Sequence, residues 1–306
     1  MDQNNQVYDL RSALNLLRSQ PGQLVETDVP VDPSAELAGV YRHVGAGGTV
    51  QRPTREGPAM LFHQIKGHPG ARVAIGVLAS RSRVAALLGR RPEELGHALR
   101  DCVSRPIPPV ICAEAAPCQQ VVHRADDPDF DLRALVPAPT NTPDDAGPYI
   151  TLGMCYATHP DTGVNDITIH RLCIQGRDEL SIFFTPGARH IGAMAERAEQ
   201  LGRPLPISVS IGVDPAIEIA SCFEPPTTPL GYDELSIAGA LRGRAVELCP
   251  WTSGPSPTPS MSSKERSSPG SGSRKTRTAI PDMPCLNSPA IPAPPAVSAG
   301  SSRSRL

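Results

Sequence analysis

The stretch Asn165-Asp-Ile-Thr-Ile-His-Arg171 decides the fold, because its alternating β-branched residues predict a β-strand. Alternate side chains of a strand share a face, which places Asp166, Thr168 and His170 together. The opposite face then carries the remaining side chains: Asn165, Ile167, Ile169 and Arg171. Carboxylate and amide oxygens ligate hard cations, and a guanidinium can bind phosphate or carboxylate. For the strand alone, a polar edge strand with a salt bridge is the favoured interpretation.

Neighbouring segments extend this strand into a sheet. Tyr149–His159 and Leu180–Thr185 flank Asp166–Gln175 across short turns, which predicts an antiparallel meander. Hydrophobic periodicity and capping residues predict the elements that follow: helix His190–Leu201, strand Leu205–Val213, a helix opened by Asp214-Pro215, helix Tyr232–Leu241 and strand Ala245–Leu248.

The residues before the meander predict a separate layer of helices and strands. Its predicted elements are helix Asp9–Arg18, strands Ala59–Ile65 and Arg72–Leu78, and helices Arg81–Leu88 and Pro92–Cys102. Pro106-Ile-Pro-Pro109 then interrupts the chain as a linker. We therefore predict an α+β protein with an N-terminal α/β domain at residues 1–115 and a strand-rich second domain at residues 116–250.

Residues 251–306 differ sharply from the rest in composition. They contain ten prolines, fourteen serines, seven Lys or Arg residues and two acids. Such a segment buries too little apolar surface to offset its ordering entropy, so we predict a disordered tail. The abrupt change near Pro250 resembles a frameshift or an altered gene end, and we expect the gene sequence there to show one.

Composition and charge argue against several classes of protein. The net charge of -2 and the pI near 6.4 give no basic footprint, so no nucleic-acid partner is expected. No apolar run approaches the roughly 18 residues of a membrane span, and the N-terminus lacks the order of a signal peptide. The eight cysteines include no CxxC pair, which favours reduced thiols. A cytoplasmic location follows as an expectation.

Two further segments carry candidate functional side chains. Phe184-Thr-Pro-Gly-Ala-Arg-His190 places a turn before a predicted helix, whose N-terminal N–H groups can bind a phosphate. A helix-capping histidine explains His190 equally well. Glu234 lies in the first turn of the last predicted helix, where a surface acid favoured by the helix dipole is the alternative. For Glu224 and Asp233 that alternative is the favoured interpretation.

Taken together, these segments resemble the UbiD family of decarboxylases. That family has an Asn or similar residue five positions before an Arg on one strand, then a His, then a helix reading E-x-x-x-A-G-x-L-R. Here Asp166 and Arg171 have that spacing, His190 follows, and Glu234–Arg242 fits the helix pattern. Gly212–Ala216 also fits. The likeness spans roughly residues 8–250 and is greatest to the decarboxylases of hydroxybenzoates such as protocatechuate or gallate.

The resemblance implies a prenylated FMN held in a split β-barrel, which is expected to be incomplete here. It implies Mn2+ or Mg2+ bound by His190, Glu234 and either Asn165 or Asp166, with the metal bridging to the flavin phosphate. The Phe223–Pro229 loop is implied to help hold K+. The residues implied to line the flavin are Asn165, Thr168, Ile169, His170, Arg171, Pro186, Gly187 and His190.

The resemblance also implies the chemistry: CO2 leaves from an aromatic carboxylic acid while the flavin acts as an electron sink. Arg171 takes the catalytic role of orienting the carboxylate. An acid beyond the Glu234 helix then protonates the product carbon, but the tail offers only Glu265 and Asp282, so the proton donor is not recognisable. A homo-oligomer, whose usual oligomerisation domain is expected to be missing, and a flavin prenyltransferase as cofactor supplier are implied as partners.

Three functional hypotheses follow from the sequence. The first is the non-oxidative decarboxylation of a hydroxybenzoate. The second is a truncated, inactive relative that binds flavin, metal or a partner only. The third is a metal-dependent hydrolase that uses Asp166, His190 and Glu234. No GxSxG motif and no P-loop is present in the sequence to support the common hydrolase and nucleotide-binding classes.

Overall fold

The computed structural model describes residues 7–45, 56–112, 117–184 and 189–249, together with the backbone of 273–277 and 285–286. These residues form helices and three sheets, which confirms the predicted α+β class. Among the helices in these ranges, none is both long enough and apolar enough to cross a bilayer.

The N-terminal elements form a three-stranded sheet with helices beside it. In chain order they are α1 (Leu10–Ser19), β1 (Leu24–Thr27), α2 (Glu36–Val44), β2 (Ala59–Phe62), β3 (Val73–Ile75), α3 (Arg81–Leu87) and α4 (Leu95–Ser104). β1 pairs parallel with β2, and β2 pairs antiparallel with β3. Asp9 caps α1 by accepting from the Ser12 N–H, as the predicted helix start requires.

Most predicted elements of this region are confirmed, with shifted ends. The predicted helix at Pro92 begins instead with a 3-10 turn at Pro92–Glu94, and α4 follows it. β1 and α2 were not predicted. β1 has only four residues, and α2 starts after Ala35 without a side-chain cap, so neither carries a strong local signal.

The second group of elements contains the predicted meander. In chain order it comprises β4 (Val110–Ile111), α5 (Leu132–Leu135), β5 (Tyr149–Thr158), β6 (Asn165–Ile174), β7 (Glu179–Phe183), α6 (His190–Gln200), β8 (Ile207–Ser210), α7 (Pro215–Ala220), α8 (Leu235–Arg242) and β9 (Glu247–Cys249). β5, β6 and β7 pair antiparallel in sequence order, and β8 pairs with the other side of β5. The meander is therefore confirmed, and β8 extends it.

Two short strands lie in the predicted tail. The backbone of β10 (Ser273–Arg277) pairs with β7, and that of β11 (Cys285–Leu286) pairs with β9. The rest of residues 251–306, for which disorder was predicted, lies outside the described residues.

Helices cover both faces of the sheet that holds β5 and β6. On one face, Ile191 and Met194 of α6 pack with Leu172 of β6. On the other face, Ile237 of α8 packs in a cluster with Ile167 of β6. β6 is therefore buried on both faces, so a polar residue on it needs a specific partner.

The second of these clusters also contains residues from the N-terminal elements. Leu95 and Cys102 of α4 belong to the same buried cluster as Ile237 of α8. In addition, β4 pairs in parallel with β9, across the predicted boundary between residues 115 and 116. Elements of the two predicted domains thus meet in one buried cluster, and the bounds of the domains stay a prediction.

Two contacts hold α8 in place. The Arg242 guanidinium donates to both carboxylate oxygens of Asp214, at 2.5 Å to Oδ1 and 2.8 Å to Oδ2. Asp214 Oδ1 also accepts from the Ala216 N–H at 2.8 Å and so caps α7. At Gly239, an added Cβ would lie 2.4 Å from the Ile107 carbonyl oxygen, so the linker packs directly on the helix. Both contacts fix the position from which Glu234 enters the site.

Candidate metal centre and cofactor site

Three side chains from separate elements meet at one buried point. Asp166 comes from β6, His190 opens α6, and Glu234 directly precedes α8. One ligand atom from each of the three lies within 4.8 Å of the others. The His190 Nδ1 atom is 3.2 Å from Asp166 Oδ1. We name this group the carboxylate–histidine centre.

The carboxylate–histidine centre fits a divalent cation. Asp166 is 3% exposed and Glu234 is 1% exposed, and their Oδ2 and Oε2 atoms have no hydrogen-bond partner among the described residues. Burial raises the pKa of Asp166, and burial together with the Asp166 charge raises the pKa of Glu234 to about 8. Leaving such oxygens unpaired is unfavourable, and a cation would satisfy both. Two oxygens and one imidazole nitrogen suit Mn2+ or Mg2+.

The structure separates the two candidates for the first ligand. Asn165 pairs with Thr158 across β5 and β6, and its Oδ1 accepts from the Thr158 hydroxyl at 2.8 Å. Asp166 points to the opposite face, as the alternation of a strand requires. Asn165 is therefore not brought into the carboxylate–histidine centre, and Asp166 is.

An ion pair lies beside the centre. The Arg189 Nη1 atom bonds to Glu224 Oε1 and also lies 3.1 Å from the Thr168 hydroxyl. The favoured interpretation of Glu224 as an ordinary surface acid is wrong, because its side chain is 24% exposed and paired. Burial raises the pKa of Glu224, and Arg189 opposes that shift. The sequence analysis did not identify Arg189 as a candidate site residue. A basic residue at a helix N-terminus is unfavourable with the helix dipole, so its position could have indicated a specific partner.

Thr168 and His170 share the Asp166 face of β6, as predicted. His170 is buried, and its ring meets Phe184 edge to face at a centroid distance of 5.0 Å. Burial lowers the pKa of His170 to about 4, with a smaller contribution from Arg189, so the ring is neutral near pH 7. Its Nε2 atom has no partner among the described residues. Ile169, on the other face, packs against the core that contains α8.

Arg171 differs from the other candidates on β6. Its side chain is exposed, whereas Asp166, Thr168 and His170 are buried. No hydrogen bond to Arg171 is found within the described residues, so its guanidinium is available to a ligand. The alternation of β6 keeps it away from the carboxylate–histidine centre.

The segment before α8 carries two further candidates. Asp233 Oδ1 accepts from the Leu235 N–H at 3.0 Å, so this residue stabilises the helix start. Burial raises the pKa of Asp233 to about 6, which does not fit an ordinary surface acid. In the Phe223–Pro229 loop, Thr228 is fully buried beside Glu234. Predicted flavin contacts Pro186 and Gly187 lie outside the described residues.

One cavity of the described residues lies away from the carboxylate–histidine centre. It has a volume of about 540 Å³ and lies between α4 and α8, beside His97, Cys102 and Ile107. None of the residues that line it belongs to the carboxylate–histidine centre. This cavity is therefore separate from the proposed metal site.

The fold and the buried centre together define a mixed α/β protein with a candidate divalent-metal site. Two domains of one family account for most of its length. The N-terminal domain of 3-octaprenyl-4-hydroxybenzoate carboxy-lyase matches residues 15–103, and the Rift-related domain matches residues 110–263. The chain belongs to this family, the UbiD family, as its sequence resemblance indicates.

Characterised relatives and solved structures agree with this membership. The chain is 53% identical over 244 residues to gallate decarboxylase of Lactiplantibacillus plantarum, covering 79% of this chain and 50% of that protein. Apo 3,4-dihydroxybenzoic acid decarboxylase of Klebsiella pneumoniae is 56% identical, with a TM-score of 0.75 over 81% of this chain and 51% of that one. An evolved dimeric UbiD-class enzyme of Pelotomaculum thermopropionicum, in complex with prFMN, is 34% identical, with a TM-score of 0.69 over 79% and 52%.

The chain spans about half the length of the relatives it matches, since 50% of the gallate decarboxylase is covered. Family membership therefore rests on the matched half. Activity, substrate and partners belong to whole proteins, and for this chain they are proposals.

Proposed function

We propose that the chain carries the metal and cofactor half of a decarboxylase that acts on a hydroxybenzoate-type acid with prenylated FMN. The observation that carries the proposal is the convergence of Asp166, His190 and Glu234, with two buried carboxylate oxygens that lack partners. The high identity to a gallate decarboxylase supports an aromatic acid as the substrate class.

Asp166, His190 and Glu234 would hold Mn2+ or Mg2+. The cation would satisfy Asp166 Oδ2 and Glu234 Oε2 and would offer its remaining positions to an anion such as the cofactor phosphate. The first N–H groups of α6 add positive potential on the same side, where Arg189 is paired with Glu224. These features fit the phosphate end of a flavin nucleotide.

β6 would present its side chains to the rest of the cofactor and to the substrate. When bound, the prenylated flavin supplies the electron sink that makes loss of CO2 possible. Thr168 and His170 would line it, and neutral His170 would add no charge there. Ile169 and Arg171 remain proposed from the sequence, since β6 places both on its opposite face. From the sequence, Arg171 would bind the substrate carboxylate in bidentate fashion and orient it. Pro186 and Gly187 remain proposed flavin contacts from the sequence.

A monovalent cation completes the proposed site. The Phe223–Pro229 loop lies between α7 and α8, and Thr228 in it is fully buried. A hydroxyl and backbone carbonyls are suitable K+ ligands because the ion is large and prefers neutral oxygens. We therefore place K+ at this loop within the proposal.

Reconstitution tests the proposal directly. The full chain is incubated without oxygen with prenylated FMN, Mn2+ and K+, then with protocatechuate and gallate, while CO2 and bound flavin are measured. Turnover that disappears in Arg171→Ala, with flavin still bound, is the expected result. Bound flavin without CO2 from a panel of phenolic acids would overturn the claim of activity. Absence of any flavin absorbance would favour a metal-dependent hydrolase.

A binding-only relative is the second candidate. It is favoured by the position of Arg171, which β6 places on the face opposite the carboxylate–histidine centre. This candidate predicts flavin and Mn2+ binding of ordinary affinity without CO2 release. The proposed partners are tested alongside: light scattering measures homo-oligomers, and coexpression with a flavin prenyltransferase tests the cofactor supplier.

A further inference from the structure

Several cysteines meet on the small sheet of β4, β9 and β11, away from the carboxylate–histidine centre. β9 is the middle strand of this sheet. β4 runs parallel to it, with Ile111 opposite Leu248. The Cys112 N–H donates to the Leu248 carbonyl at 2.8 Å, which continues the parallel ladder by one residue. Cys112 therefore lies opposite Cys249.

The two thiols are also neighbours. Burial raises the pKa of Cys249 to about 12, and Cys112 and Cys118 both add to that rise. Neighbouring strands lie about 4.8 Å apart, which is within the roughly 4.4–6.8 Å between Cα atoms that a disulfide accepts. The spacing of the two strands therefore permits a disulfide bond between Cys112 and Cys249.

We propose that Cys112 and Cys249 form a reversible dithiol–disulfide pair, oxidised by a small-molecule disulfide such as glutathione disulfide. The pair is separate from the proposed decarboxylase chemistry and does not depend on it. It constitutes a modification site on the strand that follows α8.

The solvent exposure of the two thiols determines which of them reacts first in the thiol–disulfide exchange. Cys112 is partly exposed and Cys249 is 1% exposed, so Cys112 meets the oxidant first. Its thiolate attacks one sulfur of the small disulfide, a mixed disulfide forms, and the first small thiol leaves with a proton. Because burial raises the pKa of Cys249 to about 12, the second step is the slow one: the Cys249 thiol gives up its proton, its sulfur attacks the Cys112 sulfur, and the second small thiol leaves with that proton. In total, the protein gives up two electrons and two protons, and one small disulfide becomes two thiols.

The bond would enclose the whole candidate site. Asp166, His190 and Glu234 all lie between Cys112 and Cys249 in the chain. A cross-link across so long a loop restricts the unfolded chain and favours the folded state. Oxidation should therefore raise the thermal unfolding midpoint, and reduction should reverse that rise.

Peptide mapping tests the pair in the full chain. The protein is equilibrated in buffers of increasing glutathione disulfide to glutathione ratio, alkylated, digested without reduction and analysed by mass spectrometry. The expected product is a peptide pair that joins Cys112 to Cys249 and has lost two hydrogens. Its amount should follow the buffer ratio, and the unfolding midpoint should rise with it.

Matched serine variants identify the partners. Cys112→Ser should abolish both the linked peptide and the stabilisation, whereas Cys118→Ser, Cys222→Ser and Cys285→Ser should preserve them. Cys249→Ser should act like Cys112→Ser, and the partly exposed Cys112 variant serves where the buried variant does not fold. A link from Cys112 to Cys118, a link from Cys249 to Cys285, or full alkylation of Cys112 and Cys249 at every ratio would overturn the proposal.

Discussion

At the scale of single residues, the site is recognised by oxygens without partners rather than by a cavity. Asp166 and Glu234 are both acidic, both buried and close to each other, which is unfavourable without a proton or a cation between them. The burial and closeness of the two carboxylates raise their pKa values, and the same two features favour the binding of a cation. Metal binding and apo stability should therefore respond to substitution in opposite directions.

Glu234→Gln is expected to weaken Mn2+ binding by at least about tenfold, because a charged ligand becomes a neutral amide. The same change should leave the metal-free protein equally stable or more stable, because a buried carboxylate is removed. Calorimetric titration with Mn2+ and thermal unfolding with and without metal measure the two effects. Exposed Glu247→Gln is the control, and unchanged Mn2+ affinity in Glu234→Gln would exclude this centre.

Glu218 makes stability depend on pH at a position outside the metal centre. Burial, with a smaller contribution from Asp214, raises its pKa from 4.5 to about 7 in the folded protein. Between these values the folded state binds the extra proton, so the free energy of unfolding falls as pH rises from about 5 to 7. From the size of the shift, the loss is on the order of 2–3 kcal/mol.

Glu218→Gln should remove most of that fall, because glutamine resembles the protonated acid. Urea unfolding at pH 5 and pH 8 measures the difference for the variant and for the unmodified chain. Exposed Glu196→Gln on α6 should retain the original pH dependence. If the free energy of unfolding changed equally between pH 5 and pH 8 in the Glu218 variant and the unmodified chain, Glu218 would not be the cause of the pH dependence.

At the scale of elements, periodicity and capping residues predicted those helices and strands whose formation depends on neighbouring residues in the sequence. β6 was predicted from its alternation, and α7 from the Asp214 cap with proline at the first position. The pairing of β8 with β5 is non-local, and no pattern within Leu205–Val213 encodes it. For the same reason the Arg189–Glu224 ion pair was missed, since its partners are 35 positions apart in sequence. The sequence left Asn165 and Asp166 open as the first proposed metal ligand, and only the strand register, which places Asn165 beside Thr158, distinguishes their positions.

Arg242 ties α8 to α7, and its loss should destabilise the whole region. Arg242→Met leaves the Asp214 carboxylate buried without its ion pair, which should lower the free energy of unfolding by about 3–5 kcal/mol. Adding Asp214→Asn should recover part of that loss, because the amide oxygen can still cap α7 without a charge. Chemical unfolding of the two single variants and the double variant measures this coupling. If the double variant lost as much unfolding free energy as the two single variants together, the ion pair between Arg242 and Asp214 would not contribute to stability.

Gly239 is required by the close approach of the linker to α8. Gly239→Ala would place a methyl group 2.4 Å from the Ile107 carbonyl oxygen, so helix and linker must separate. We expect a loss of about 1–3 kcal/mol in unfolding free energy. Gly96→Ala on α4 is the matched control, since nothing lies within 4 Å of its added Cβ and alanine favours the helix. If Gly239→Ala stabilised the protein as Gly96→Ala is expected to do, the close contact between Gly239 and the Ile107 carbonyl would be contradicted.

At the scale of the whole molecule, the sequence suggested two domains, and the structure connects them. Leu95 of α4 and Ile237 of α8 share one buried cluster, and β4 of the first predicted domain pairs with β9 of the second. Elements joined by a common core and a common sheet tend to unfold together. We therefore expect the parts on either side of the linker Pro106–Pro109 to unfold as one unit.

Cooperative unfolding across this boundary can be tested from its N-terminal end. Leu17 of α1 is fully buried in a cluster whose described members all lie before residue 90. Leu17→Ala should destabilise the protein by about 2–5 kcal/mol, and the protection of β2 and β6 amides in hydrogen exchange should fall by the same factor. Leu201→Ala, at a site 39% exposed, should change neither. Loss of protection in β2 while β6 stays protected would show that the two parts unfold separately, as the predicted boundary at residues 115 and 116 implies.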